Sequence, residues 1–189
     1  MSSNQLPTDY QSFIHKSRYA RWQEGTGNRE SWSETVTRFM DNIVIPKTGD
    51  DTYIRDLEQA ILSLDVMPSM RSLMTAGPAA SRDNTSMYNC SYLAVNNIKA
   101  FDQAMFILLC GTGVGFSVER QYVSKLPEVP EKLFKSDTTI VVKDSKEGWA
   151  KSLRQLIALL YSGEIPQWDV SKVRPAGARL KTFGGRASG

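Results

Sequence analysis

The strongest hydrophobic periodicity lies late in the chain. Trp149, Leu153, Leu156, Ile157 and Leu160 recur at helical spacing and form one apolar stripe. Asp144 or Ser145 is placed to cap the start of this helix, and Gly163 to stop it. A second helix is predicted from Ser31. Ser31 and Glu34 have the spacing of a capping box, and Trp32, Val36, Phe39, Met40 and Ile43 follow until Pro46 and Gly49 end the run. A third opens at Asp50 and Asp51, carries Ile54, Leu57, Ile61 and Leu64 on one face, and breaks at Met67-Pro68-Ser69. The stretch TAGPAASRDNTS (75–86) is dense in turn formers and reads as a loop. Residues 88–95 (YNCSYLAV) read as a strand, followed by a short apolar helix with Phe101, Met105, Leu108 and Leu109. Strands are then predicted at 114–118 and 138–142, and one more at 168–173 (WDVSKV). Helices come first and strands then alternate with helices, so the pattern predicts an α/β fold behind an N-terminal helical region.

Composition narrows the function classes. The 189 residues suffice for one domain or a little more, and 41% hydrophobic with 23% charged residues is the balance of a globular chain. A net charge of +3, with Lys and Arg scattered, gives no basic stripe for a nucleic-acid partner. No apolar run has the length of a membrane span, and the N-terminus lacks a signal-peptide pattern. Two cysteines do not make a disulfide framework, so the expected setting is reducing cytoplasm. The single histidine, His15, excludes His-rich metal sites within the chain, and its expected place is the surface.

The segment FILLCGTGVGFSVE (106–119) is the most unusual stretch. Gly111, Gly113 and Gly115 give G-x-G-x-G where a dinucleotide fingerprint needs G-x-G-x-x-G, and Phe116 holds the third position. The order is also reversed, since a helix precedes the glycines and a strand follows, which removes the helix N-terminus that would hold a pyrophosphate. No Gly-Lys-Ser/Thr follows for a Walker loop. Helix termination explains one glycine well and three poorly. Bare backbone at alternating positions points to something lying closely against it, a ligand or another backbone. Cys110 closes an apolar helix and reads as a small buried hydrophobe. Cys90 has polar neighbours, Asn89 and Ser91, behind a polar loop.

NCSYLAV around Cys90, CGTGVGFSVE, DSKEGW (144–149), DVSKVRPAGA (169–178) and FGGRASG (183–189) occur in this order. Together they resemble the first part of the catalytic chain of a ribonucleotide reductase. The segment RYARWQEGTGNRESWSETVTR (18–38) is similar to the adenosylcobalamin-dependent (class II) ribonucleoside-triphosphate reductases. The resemblance covers nearly all of the chain from about Tyr19 onward. It implies an N-terminal helical region (1–65) followed by the first part of a ten-stranded α/β barrel (66–189). It also implies chemistry in which a thiyl radical, generated through adenosylcobalamin, removes the 3′ hydrogen of a ribonucleotide. The 2′-hydroxyl then leaves as water, and two cysteines become a disulfide.

Carried onto this sequence, the resemblance makes Cys90 the reducing cysteine of the first barrel strand. Asn89, Thr112 and Gly113 match positions lining the substrate, and Arg186 matches the base-side contact of a loop that relays effector identity. Residues 120–148 correspond to the region of an allosteric deoxynucleotide site. Cys110 does not match the family's partner cysteine. That cysteine, the radical cysteine and the nearby acidic residue are expected beyond Gly189, as are most contacts to adenosylcobalamin.

Ending at GGRASG, the chain is expected to be one part of a split or interrupted reductase, inactive alone. Its expected partners are a complementary C-terminal reductase segment, a thioredoxin-like reductant and the ribonucleotide substrate. The alternative is a non-catalytic nucleotide-binding or regulatory domain of the same fold, which would bind deoxynucleotide and not need Cys90. A third possibility keeps the enzyme and replaces the radical generator by an iron-dependent subunit; the 18–38 segment argues against it.

Overall fold

A computed structural model of the chain describes residues 6–180 and 185–188. The described residues divide into two compact units, one formed by residues 6–88 with Leu180 and Gly185, the other by Asn89–Arg179 and residues 186–188. The boundary expected at 65/66 falls inside the first unit.

The first unit is helical. Helix α1 (Asp9–Ile14) starts at Thr8, whose side chain accepts from the Gln11 N–H, and runs into a wider turn over His15–Tyr19. A two-residue antiparallel hairpin, β1 (Trp22–Gln23) and β2 (Asn28–Arg29), leads to helix α2 (Trp32–Phe39). The capping box forms as its spacing predicts, with Ser31 and Glu34 each accepting from the other's backbone. The helical path continues as a wider turn over Met40–Val44 and a tight one over Ile45–Lys47. Helix α3 (Asp51–Leu62) is capped by Asp50. Trp32, Val36, Phe39, Met40, Ile61, Leu73 and Ala76 form the core of this unit.

Two expectations are corrected in this unit. The turn-rich stretch 75–86 is mostly helical: α4 (Met70–Thr75) ends in it, α5 (Pro78–Arg82) lies within it, and a tight turn covers Asn84–Met87. Gly77 at φ +98° sets the direction and Pro78 opens α5, where its missing N–H costs nothing. The Asp83 side chain accepts from Thr85 N–H and starts the last turn. His15 is not at the surface but 4% exposed. Its Nε2 lies 2.9 Å from Thr35 Oγ1, and its ring meets Trp32 edge-on at 5.6 Å.

Beside His15 lies a buried ionic network. Glu30 receives Arg38 Nε at 2.7 Å on one oxygen and Arg38 Nη2 at 2.8 Å on the other. The second oxygen also accepts from Thr35 Oγ1 and Arg21 N–H. Arg38 Nη1 donates to the carbonyls of Leu73 and Ala76, so this one guanidinium ties α2 to α4. Both carboxylate oxygens are thus hydrogen-bonded to donors within the fold, which is the condition for tolerating such a pair.

The second unit contains two parallel strand–helix–strand units. In the first, β3 (Cys90–Ala94) and β4 (Gly113–Ser117) pair in parallel across helix α6 (Lys99–Leu109). After a short helix α7 (Arg120–Val123), β5 (Phe134–Val141) pairs in parallel with β6 (Glu164–Asp169) across helix α8 (Lys146–Tyr161). Parallel pairing needs such a crossover, and it establishes the α/β class. The last strand lies earlier than 168–173, because Pro166 is accommodated inside it and the pairing stops at Asp169. Helices α6 and α8 pack on each other. Arg154 donates from Nε at 2.9 Å to Asp102, which is 2% exposed.

Candidate active site

Cys90 opens β3 and is exposed. The parallel register sets it directly beside Gly113, and sets Tyr92 beside Gly115. Side chains alternate along a strand, so Cys90 and Tyr92 share one face with the two glycines. On that face β4 contributes no side chain until Ser117. Tyr92, 64% exposed, is the large group bordering the bare strip. Ser91, pointing the other way, pins the register by donating from Oγ to the Gly113 carbonyl at 3.0 Å.

The three glycines have different causes. Gly111, at φ +81°, closes α6: its N–H reaches the Leu108 carbonyl at 2.8 Å, and Thr112 N–H reaches that of Ile107 at 3.3 Å. This is the glycine end of a helix, where a left-handed residue is needed. Gly113 and Gly115 have no such backbone requirement. A Cβ on Gly113 would lie 3.5 Å from the Asn89 carbonyl oxygen, and one on Gly115 would lie 3.6 Å from that of Ser91, ordinary contact distances. Packing within the chain therefore does not demand glycine at either place. What their bare backbone provides is an open strip beside the thiol.

The other sequence-predicted residues are placed as follows. Asn89 is exposed next to Cys90, and its carbonyl accepts from Gly113 N–H at 2.9 Å. Thr112 is 1% exposed and enclosed under the start of β4. Arg186 is exposed on a short antiparallel pairing with Arg179, and its Nη1 donates to the Gly177 carbonyl at 3.0 Å. The structure thus brings Asn89, Cys90, Thr112 and Gly113 together at the β3–β4 ends and puts Arg186 on a separate loop. Phe183, Gly184 and Gly189 of FGGRASG lie outside the described residues. Tyr92 was missed in the sequence, although strand alternation two residues after Cys90 was the signal for it.

Cys110 is 0% exposed, as its apolar surroundings suggested, and Lys146 Nζ stands 3.2 Å from its Sγ. DSKEGW is the turn from β5 into α8. Its Ser145 caps the helix by accepting from Gly148 N–H, and its Asp144 receives Arg174 Nε at 2.7 Å. Gly148 is required sterically, since a Cβ there would stand 2.3 Å from the Lys143 carbonyl oxygen. Among the described residues no three His, Cys, Asp or Glu side chains converge as metal ligands do, and no helix is long and apolar enough to cross a membrane.

A thiol at the head of a parallel βαβ unit, facing bare backbone, places the candidate site of this α/β protein at strand ends. The fold agrees with a solved one. Over 94% of this chain and 34% of the other, it superposes with a TM-score of 0.78 and 22% identity on the crystal structure of a B12-dependent (class II) ribonucleotide reductase. No family model matches. The sequence relatives point the same way. The adenosylcobalamin-dependent ribonucleoside-triphosphate reductases of Lactobacillus leichmannii and Lactobacillus delbrueckii subsp. bulgaricus are each 28% identical over 246 aligned residues, 93% of this chain and 33% of their own. A Mycobacterium phage D29 protein provisionally given the same name is 29% identical over 202 residues, 86% of this chain and 28% of its own. The chain is thus similar to adenosylcobalamin-dependent ribonucleoside-triphosphate reductases, and spans about a third of their length.

Proposed function

We propose that the chain forms the thiol-bearing N-terminal part of a ribonucleotide reductase that converts ribonucleoside triphosphates to deoxyribonucleotides. The observation that carries this reading is the exposed Cys90 facing the side-chain-free strip of Gly113 and Gly115. A ribose fits such a strip because its ring can lie against backbone with its hydroxyls near the thiol. Asn89 and Gly113 supply the polar edge, Thr112 holds the start of β4 from beneath, and Arg186 approaches from its loop toward the base. Residues 120–148 carry the deoxynucleotide effector site, and the two βαβ units are the first strands of a ten-stranded barrel.

The net reaction removes the substrate 2′-hydroxyl as water, replaces it by hydrogen, and oxidises two thiols to a disulfide. Cys90 supplies one thiol. Cys110 is 0% exposed beneath Lys146, so it does not supply the second, which comes from outside these residues. Bound adenosylcobalamin would supply the radical that starts the reaction. Most contacts to it come from outside these residues, and the chain's single imidazole, His15, is 4% exposed and engaged with Thr35. The chain alone is accordingly inactive. Its thiol is kept reduced in the cytoplasm by a thioredoxin-like dithiol, and its partner is the complementary reductase segment.

Co-expression of the chain with a segment corresponding to the remaining two thirds of its relatives tests this reading. Ribonucleoside-triphosphate reduction that requires adenosylcobalamin, and that neither part performs alone, is the expected result. A complex that binds nucleotide but never reduces it would overturn the reading in favour of a regulatory domain.

A further inference from the structure

The sulfur of Cys110 and the amine of Lys146 meet where the two βαβ units touch. Cys110 is the C-cap of α6 and Lys146 the first residue of α8. Nζ stands 3.2 Å from Sγ and 4.8 Å above the centre of the Phe106 ring, so two contacts fix the position of the amine. The proposed catalysis uses neither residue.

We infer that this pair is a modification site: under peroxide, Cys110 and Lys146 join in a reversible sulfenamide cross-link between α6 and α8. In the first step the sulfur attacks peroxide, an S–O bond forms, the O–O bond breaks and one water leaves. Sulfur is thereby oxidised from thiol to sulfenic acid and peroxide is reduced. In the second, Lys146, having given its ammonium proton to solvent, attacks that sulfur. The N–S bond forms, the S–O bond breaks and a second water leaves. One thiol, one amine and one peroxide give one sulfenamide and two waters. A small-molecule dithiol reverses the link by attacking sulfur and releasing the amine.

Burial selects this product. At 0% exposure Cys110 is closed to bulky thiols such as glutathione, while a peroxide molecule needs only a brief opening at the helix end. The amine is already in contact with the sulfur when the sulfenic acid forms. The link would fix Cys110, from which Gly111 and Thr112 lead directly into the bare strip at Gly113.

The test uses the chain with Cys90→Ser, which leaves Cys110 as the only thiol. Alkylation first establishes that Cys110 is protected in the native chain and reactive in denaturant. After hydrogen peroxide treatment of the native chain, intact mass should fall by two hydrogens. The thiol should fail to alkylate in denaturant, and the peptides bearing Cys110 and Lys146 should travel together until dithiothreitol separates them. Lys146→Arg and, independently of how that variant folds, Cys110→Ala should each abolish the link. Recovery of Cys110 as free thiol or as sulfinic acid without linked peptide would overturn the inference. So would linkage that forms as readily in denaturant, or that survives in either variant.

Discussion

Cys90 and Gly113 lie side by side in the parallel register of β3 and β4, so the exposed thiol looks along a strand with no side chain opposite it. This relationship gives the alternating glycines a common place beside the thiol. It also separates them from Gly111, which the backbone conformation itself requires.

Gly115→Ala isolates the functional need for the strip. The added methyl would sit 3.6 Å from the Ser91 carbonyl oxygen and 4.0 Å from Tyr92 Cδ2, ordinary contacts that cost the fold little. Thermal stability should stay within about 1 kcal/mol of the parent, with loss of glycine's unfolded-state entropy favouring the variant. Nucleotide reduction by the reconstituted enzyme should drop by roughly ten- to a hundredfold, because displacement of a substrate by a fraction of an ångström to an ångström has effects of that order. A stable variant with undiminished activity would show that the strip does not touch substrate.

Gly148→Ala has the opposite profile. Its Cβ would stand 2.3 Å from the Lys143 carbonyl oxygen, so the turn into α8 must shift and Ser145 loses its capping geometry. A loss of about 1–3 kcal/mol or more is expected in urea unfolding.

Truncation of Glu30 leaves the Arg38 guanidinium buried without its carboxylate. The two side chains are 8% and 13% exposed, so solvent cannot replace the partner. Glu30→Ala should lose about 3–5 kcal/mol in urea unfolding, the usual cost of breaking such a pair. Replacing Glu30 and Arg38 together by apolar residues should recover part of it.

The same network sets an acid response. Burial first, then the charges of Lys16 and Arg38, hold the His15 imidazole below the usual 6.5, with Glu30 opposing. Burial alone would raise Glu30, but the hydrogen bonds from the Arg38 side chain and Arg21 N–H outweigh it and hold the carboxyl below 4.5. Both groups bind protons more weakly folded than unfolded, so each favours folding above its unfolded value and loses that contribution as pH falls. Stability should decline as pH drops below 6.5 through His15, and further below 4.5 through Glu30. In His15→Gln the first decline should disappear from a urea-midpoint series against pH while the second remains.

Local patterns carried much of this fold. The Ser31–Glu34 box and the stripe from Trp149 to Leu160 marked α2 and α8 because caps and periodicity are written in neighbouring residues. Cys90 and the glycines were legible as unusual, yet only the register showed that Gly113 and Gly115 face the thiol. His15 was misplaced because a single histidine has no period, and Thr35 and Trp32, which enclose it, lie on another helix. The Glu30–Arg38 network was invisible for the same reason, since the carbonyls of Leu73 and Ala76 that complete it lie 35 and 38 residues from Arg38. The helical turns in 75–86 were hidden by Gly77, Pro78 and Asp83, residues that start short helices as well as loops.

The most direct test of the central claim is multiple-turnover reduction of a ribonucleoside triphosphate, with adenosylcobalamin and a dithiol reductant present. The assay compares the chain reconstituted with its complementary segment to the same assembly carrying Cys90→Ser. Sustained turnover in the parent and none in Cys90→Ser is the result expected if Cys90 is the working thiol. Full multiple-turnover activity in Cys90→Ser would contradict it.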